Sequence, residues 1–309
     1  IQNAIDYSVL NQSVVTIGTF DGVHLGHRKI IKRLVKIAKK KNLQSVVLTF
    51  FPHPRMVLQK DADIKLINSI DEKYKLLKSL GVDYLVIKEF TPEFSRLSAK
   101  EYVRDLLINT LHTKHIIVGY DHHFGRNRTA NIDDLKSFAK IYDFDITEIS
   151  AKEVGEVAVS STKIRQALTK GNVKKANKYL GYNFTLSGKV VKGRGLGKKL
   201  LFPTANLEIA ESYKLIPKKG SYVIKTLFED KEVFGMMNIG HNPTVNGEKM
   251  SIEMHLFDFS KDIYGQAFEI YLLDRLRDEK KFNSVKELKE QLSLDKKKSQ
   301  EIIAHYNAN

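Results

Sequence analysis

Short apolar runs alternate with amphipathic stretches along the first half of the chain. Residues 13–17 (Ser-Val-Val-Thr-Ile) are β-branched and stopped by Gly18, which reads as a buried strand. From about 27 to 41, Ile30, Ile31, Leu34, Ile37 and Ala38 recur at helical spacing, with lysines on the other side. A second buried strand at 45–50 ends at Phe51-Pro-His-Pro54. The same pattern predicts helices near 71–80, 99–111 and 132–142, and strands at 84–87, 115–118 and 145–149. Strand and helix in turn imply an α/β fold, a parallel sheet with helices on both faces.

Beyond Ser160-Ser-Thr162, two short helices are predicted at 162–169 and 173–180, punctuated by Gly171. Then the texture changes. Close-spaced strands are expected at 184–191, 221–227, 233–239, 251–257 and 268–273, with hairpin signals at Glu229-Asp230 and Asn246-Gly247. The tail, 284–293 and 295–305, is helical by pattern. The chain therefore reads as an α/β domain over 1–182 and a small antiparallel barrel or sandwich with C-terminal helices over 183–309.

Composition narrows the class. A length of 309 residues is enough for two cores, and no apolar run reaches the 18 residues that a membrane span needs. The start, Ile1-Gln-Asn-Ala-Ile-Asp, lacks the basic and apolar regions of a signal peptide. With no cysteine, disulfides and Cys-ligated zinc are excluded, and a reducing, cytoplasmic setting is expected. Net charge is +15, which favours nucleotides, phosphorylated cofactors or nucleic acid as partners. Runs such as Lys39-Lys40-Lys41 and Lys296-Lys297-Lys298 read as solvated helix faces. Tryptophan is absent and stacking aromatics are not clustered, which argues against nucleic acid.

Two glycine-punctuated segments suit phosphate. In Thr16-Ile-Gly-Thr-Phe-Asp-Gly-Val-His-Leu-Gly-His27, a strand turns into a helix, where ligands of parallel sheets collect. Gly18, Gly22 and Gly26 allow close backbone approach, and the helix start offers unpaired N–H groups and a positive dipole end. His24 and His27, three apart, are expected to point together at a phosphate, protonated by anionic neighbours so that each donates twice. Neither the Rossmann nor the P-loop pattern is matched, and a His-x-x-His zinc pair lacks further ligands. A surface turn with incidental histidines is the bland alternative.

In the second segment, Gly193, Gly195 and Gly197 alternate with Arg194, Leu196 and Lys198. Such a loop either wraps phosphates or is a flexible hairpin in a basic protein. Thr204 and Asn206 offer two neutral oxygens at i and i+2, a sparse set suited to nucleotide-borne Mg²⁺. In 251–257, Ile252, Met254 and Leu256 take one face and leave Glu253 and His255 on the other. By pattern alone Glu253 is a solvent-facing strand residue. Phosphate transfer to an alcohol would give it a role as acceptor of the hydroxyl proton.

Gly18-Thr-Phe-Asp-Gly-Val-His-Leu-Gly-His27 resembles the His-x-Gly-His signature of the nucleotidyltransferase superfamily. In its longer form it is similar to that of bacterial bifunctional riboflavin kinase/FAD synthetases. Phe51-Pro-His-Pro54, Gly119-Tyr-Asp-His-His-Phe-Gly125 and Ser160-Ser-Thr-Lys-Ile-Arg165 match that family in order. So do the loop ending Pro203-Thr-Ala-Asn206, Gly220-Ser-Tyr-Val223, Asn238-Ile-Gly-His-Asn-Pro-Thr244, Ile252-Glu-Met-His255 and Leu276-Arg-Asp-Glu-Lys-Lys-Phe282.

The resemblance implies a Rossmann-like nucleotidyltransferase domain that adenylylates FMN, then a riboflavin kinase barrel, with ATP, riboflavin, FMN and Mg²⁺ as partners. It places Gly18, Phe20, Asp21, Gly22, Gly26, His24 and His27 around ATP, with Ser161, Thr162 and Arg165 as a second phosphate-binding element. Asp121 falls near phosphates or ribose, in a segment where His122 and His123 replace the usual Phe and basic residue. In the second half it makes Glu253 the general base, gives Mg²⁺-ATP to Thr204 and Asn206, and assigns Gly193, Gly195, Gly197, Lys198 and Asn238 to the substrates. Arg277 would lie on a segment that closes over flavin. Val245 stands where the family often has an aromatic. No nucleic acid, membrane or obligatory protein partner is implied. The rivals are a single-function enzyme with one half as scaffold, another nucleotidyltransferase, and a nucleic-acid-binding protein.

Overall fold

Residues 2–3, 11–59, 63–119, 122–150, 159–193, 202–244 and 247–308 are described by a computed structural model of the chain. It divides into two compact units, residues 1–66 with 70–160, and residues 67–69 with 161–309.

The β-branched runs of the first unit form an all-parallel, six-stranded sheet. Its strands are β1 (Gln2–Asn3), β2 (Ser13–Ile17), β3 (Gln44–Phe51), β4 (Tyr84–Glu89), β5 (Thr113–Gly119) and β6 (Asp145–Ile149), in the order β1-β4-β3-β2-β5-β6. Between them run α1 (Leu25–Lys41), α2 (Pro54–Leu58), α3 (Ile70–Ser79), α4 (Ala99–Glu101) and α5 (Ile132–Tyr142). Helix α4 continues as π-type turns over Tyr102–Thr110. Because strand side chains alternate, both sheet faces are apolar. Val15, Val46, Val86 and Ile116 pack with Val103, Leu107 and Leu135. Val14, Val47, Leu85 and Ile117 pack with Ile31, Leu34 and Leu77. The expected two-sided α/β layer is present.

Helix α1 shows why the lysine run sits where it does. Asn42 leaves the helix in the left-handed conformation (φ 54°), and Lys39, Lys40 and Lys41 lie at the negative end of the dipole. The chain steps outward from β2 through β3 to β4, then returns to the other side of β2 at β5. That reversal opens a crevice at the carboxyl ends of β2 and β5.

In the second unit, α6 (Ser161–Thr169) and α7 (Val173–Leu180) precede β7 (Thr185–Val191), β8 (Ala205–Glu208), β9 (Gly220–Phe228), β10 (Lys231–Thr244), β11 (Gly247–Leu256) and β12 (Ala267–Arg277). These strands close an antiparallel barrel in the order β10-β11-β8-β7-β12-β9, which decides between barrel and sandwich. Strand β8 was not expected, since four residues carry too little periodicity. Glu229 and Asp230 form the expected hairpin with φ of 49° and 60°, as a type I′ turn requires. Asn246 and Val245 lie outside the described residues. The two helical tail segments are one helix, α8 (Val285–Asn307), with Asp295 and Ser299 buried.

Helices α6 and α7 belong to this unit. The Asn177 amide donates to the Leu272 carbonyl (2.8 Å) and its oxygen accepts from the Phe184 N–H (2.8 Å). Each bond contributes about 1 kcal/mol, and the helices also bury Ile164, Leu168, Val173 and Leu180. A fragment of residues 161–309 is therefore expected to melt at least about 5 °C above one of 183–309 in a circular-dichroism scan. Equal melting temperatures would remove α6 and α7 from the barrel's folding unit.

Candidate functional site

The first cluster grows from the turn after β2. Phe20, Gly22 and Val23 all have positive φ (43°, 86° and 35°), so the backbone doubles back sharply before α1. Gly22 does so without a β-carbon penalty. His24 caps the helix, its Nδ1 accepting the His27 N–H at 3.4 Å. That bond leaves the neutral His24 proton on Nε2. The two imidazoles stack at 3.6 Å and 18°, and the Phe20 ring meets His27 edge-on at 5.1 Å. The shared direction expected from their spacing is realised.

Their charge state is not as expected. Burial pushes His24 down to about 4, against opposing contributions from Asp21 and a backbone hydrogen bond. His27 is held well below its ordinary value by burial, then by His24 and Lys73. Both rings are therefore neutral near pH 7, each with a single N–H, rather than doubly donating imidazoliums. The Nδ1 of His27 is buried with no hydrogen-bond partner among the described residues.

Sequence reading missed Lys73. It lies on α3 with 3% of its surface exposed, and its Nζ donates to the Thr19 carbonyl at 2.8 Å and the Thr49 hydroxyl at 3.4 Å. The available signal was a lysine four residues before buried Leu77, on the helix's inward stripe. Elsewhere, His53 caps α2 by accepting the Arg55 N–H at 3.2 Å, shaping the turn between its prolines. His122 stacks on Phe124 (5.8 Å, 21°), while Asp121 lies outside the described residues. Ser161, Thr162 and Arg165 occupy the first turns of α6, in the second unit, with Ser160 at the preceding cap position.

The second cluster is set by register. Asn206 pairs with Glu253, Glu253 with Asn238, Asn238 with Ser221, and Ser221 with Arg277. Directly paired residues share a face, so five polar side chains form one row across β8, β11, β10, β9 and β12. The Ser221 hydroxyl donates to the Asn238 side-chain oxygen at 3.4 Å. Val223 and Met236, two residues along the same face, pack with Phe202, Leu276 and Leu292, Ile302 and Ile303 of α8. The row thus lies on the helix-covered outer face, and the alternate residues Tyr222, Met237 and Met254 turn inward.

The ends of the row are fixed by neighbours. Arg277 donates through Nε to both oxygens of buried Asp295 on α8 (3.1 and 2.9 Å) and pairs through Nη2 at 2.8 Å. A β-carbon on Gly193 would stand 2.3 Å from the Asn206 side-chain nitrogen, so a larger residue there would displace the Asn206 amide. Gly195, Gly197 and Lys198 lie outside the described residues. His255, read from sequence only as Glu253's companion, donates from Nδ1 to the Pro203 carbonyl (2.8 Å) and meets Phe202 edge-on at 5.3 Å. It anchors the segment that carries Thr204.

The comparisons with known proteins separate the same two regions. Residues 6–163 match the family model of FAD synthetase, and residues 180–303 that of riboflavin kinase. The bifunctional riboflavin kinase/FMN adenylyltransferase of Listeria monocytogenes is 38% identical over 94% of this chain and 92% of its own. The chain belongs to the bifunctional riboflavin kinase/FMN adenylyltransferase family. The Escherichia coli member is 37% identical, again over 94% and 92% of the two chains. A solved structure from Streptococcus pneumoniae, described as a macrolide-efflux protein, superposes with a TM-score of 0.85 at 34% identity, covering 97% of each chain. Among the described residues here, no helix is long and apolar enough to cross a membrane.

For a riboflavin kinase/FMN adenylyltransferase, the histidine cluster falls in the FAD synthetase span and the polar row in the riboflavin kinase span. The row also suits Mg²⁺. The Asn206 Oδ1 is buried and has no hydrogen-bond partner among the described residues, two residues from the Thr204 hydroxyl and directly across from Glu253. Two neutral oxygens near a carboxylate fit a cation whose other ligands are phosphate and water.

Proposed function

We infer that the chain makes FMN from riboflavin and ATP in its second half, and FAD and pyrophosphate from FMN and ATP in its first. The functional spans are 1–182 and 183–309, divided where the strand-helix pattern gives way to close-spaced strands. The observation that carries the kinase assignment is the register row that sets Glu253 between Asn206 and Asn238.

In the kinase half, Glu253 accepts the proton of the riboflavin 5′-hydroxyl as its oxygen bonds to the γ-phosphorus. The bond from that phosphorus to the β-bridging oxygen breaks, and its electron pair leaves with ADP. Asn206 and Thr204 would hold Mg²⁺, which screens triphosphate charge when bound. Asn238 and Gly193 line the substrates, and Arg277 orients the segment beyond β12 against α8.

In the first half, an FMN phosphate oxygen attacks the α-phosphorus, and the bond to the pyrophosphate oxygen breaks. No covalent enzyme intermediate is required, so positioning and charge stabilisation do the chemistry. The Nε2–H of His24 and the His27 ring contact the phosphates, and Phe20, Asp21 and the glycines shape the loop. Absence of cysteine and dispersal of positive charge support a cytoplasmic enzyme acting on small anionic substrates.

Incubating the purified chain with riboflavin, ATP and MgCl₂, and resolving flavins by chromatography over time, tests both steps. FMN is expected first, then FAD. FMN that accumulates without FAD, or no conversion of riboflavin, would leave a single-function enzyme or overturn the reading.

A further inference from the structure

A buried ammonium is costly unless an opposite charge compensates it. Lys73 is buried, yet its hydrogen-bond partners among the described residues are two neutral oxygens, the Thr19 carbonyl and the Thr49 hydroxyl. Asp21, itself buried, attracts the charge electrostatically. Three elements converge on this one nitrogen: helix α3, strand β3 and the loop that leads to His24. Its charge is felt at the His27 ring. Beside two neutral histidines, one of them with a buried Nδ1 that has no hydrogen-bond partner among the described residues, stands a buried cation held by two neutral oxygens and attracted by Asp21.

We propose that Lys73 is the resident counter-charge of the adenylyl-transfer site, a positioning residue that holds the loop at Thr19 and stabilises the negative charge gathering on ATP's phosphates. The proposal rests on the reading that this loop and the start of α1 form that site. It assigns the electrostatic role, expected of the histidines, to a residue outside the motif. The histidines supply hydrogen bonds and shape, and Lys73 supplies the field in a dry environment where it is strong. A prop for the Thr19 carbonyl alone would not need a formal charge.

The charge is also poised to titrate. Burial, opposed by Asp21, pushes Lys73 down to about 8. Asp21 from the loop and His27 from α1 are the titratable groups coupled to it, β3 presents the neutral Thr49, and on α3 itself Glu72 is the buried neighbour in sequence. As pH rises through 8 the ammonium is lost, so kcat/KM for ATP should fall on the alkaline side.

The test compares the full chain with Lys73→Met, Lys73→Gln and His27→Ala, following FMN adenylylation from pH 6.5 to 9, riboflavin phosphorylation, and melting. With Lys73→Met, kcat/KM for adenylylation is expected to fall about 100-fold, mostly in kcat, with the alkaline limb gone and riboflavin phosphorylation within about twofold. Lys73→Gln, which can still donate to Thr19, is expected to lose the same amount. Parental activity in Lys73→Gln would reduce Lys73 to a hydrogen-bonding prop and overturn the proposal. So would adenylylation by Lys73→Met within about threefold of parent while His27→Ala is inactive. If His27→Ala remains fully active, the placement of the site itself has failed.

Discussion

Glu253→Gln should stop FMN production while FMN supplied from outside is still converted to FAD. The change is isosteric and removes the negative charge and the ability to take up a proton, while the backbone pairs to Asn206 and Asn238 persist. A general base contributes about 10²- to 10⁴-fold, and the kinase rate should fall by that range. With the carboxylate as base for bound riboflavin, as proposed, the loss should appear in kcat more than in the KM for ATP. Undiminished riboflavin phosphorylation in this variant would remove Glu253 from the base role. A parallel loss of adenylylation would contradict separate active sites.

The complementary change is His27→Ala, expected to lower FAD formation by about 10²- to 10³-fold and leave riboflavin phosphorylation near normal. The helix start should survive, because the His24 cap uses the backbone N–H of residue 27 and not its ring. What disappears is the stacked partner of His24 and the edge contact with Phe20. The assay is FMN adenylylation at saturating Mg²⁺-ATP, with the kinase reaction of the same preparation as control for integrity. Full FAD synthesis would move the phosphate site away from α1.

Much of this architecture could be read from residue order, and the failures share a cause. Apolar periodicity located the sheet, its helices and most barrel strands because each is long enough to show a repeat. Strand β8 spans four residues and escaped, although it carries Asn206. The Asn206–Glu253–Asn238–Ser221–Arg277 row depends on long-range register, which no local pattern encodes. The motif at His24 and His27 was visible, but protonation was misjudged, since it depends on how deeply the turn buries the rings. Lys73 was invisible as chemistry for the same reason: a lysine on a helix is normally solvated, and only packing against β3 makes it a buried charge.

Closure of the barrel has an outcome for the kinase centre. The Glu253 carboxylate and the Asn206 and Asn238 amides are spaced by a hoop of ladders rather than by loops. A one-residue slip of β11 against β8 and β10 would swing Glu253 to the opposite side, and it would require compensating slips around the whole ring. The row therefore inherits its tolerances from hydrogen-bonded circumference.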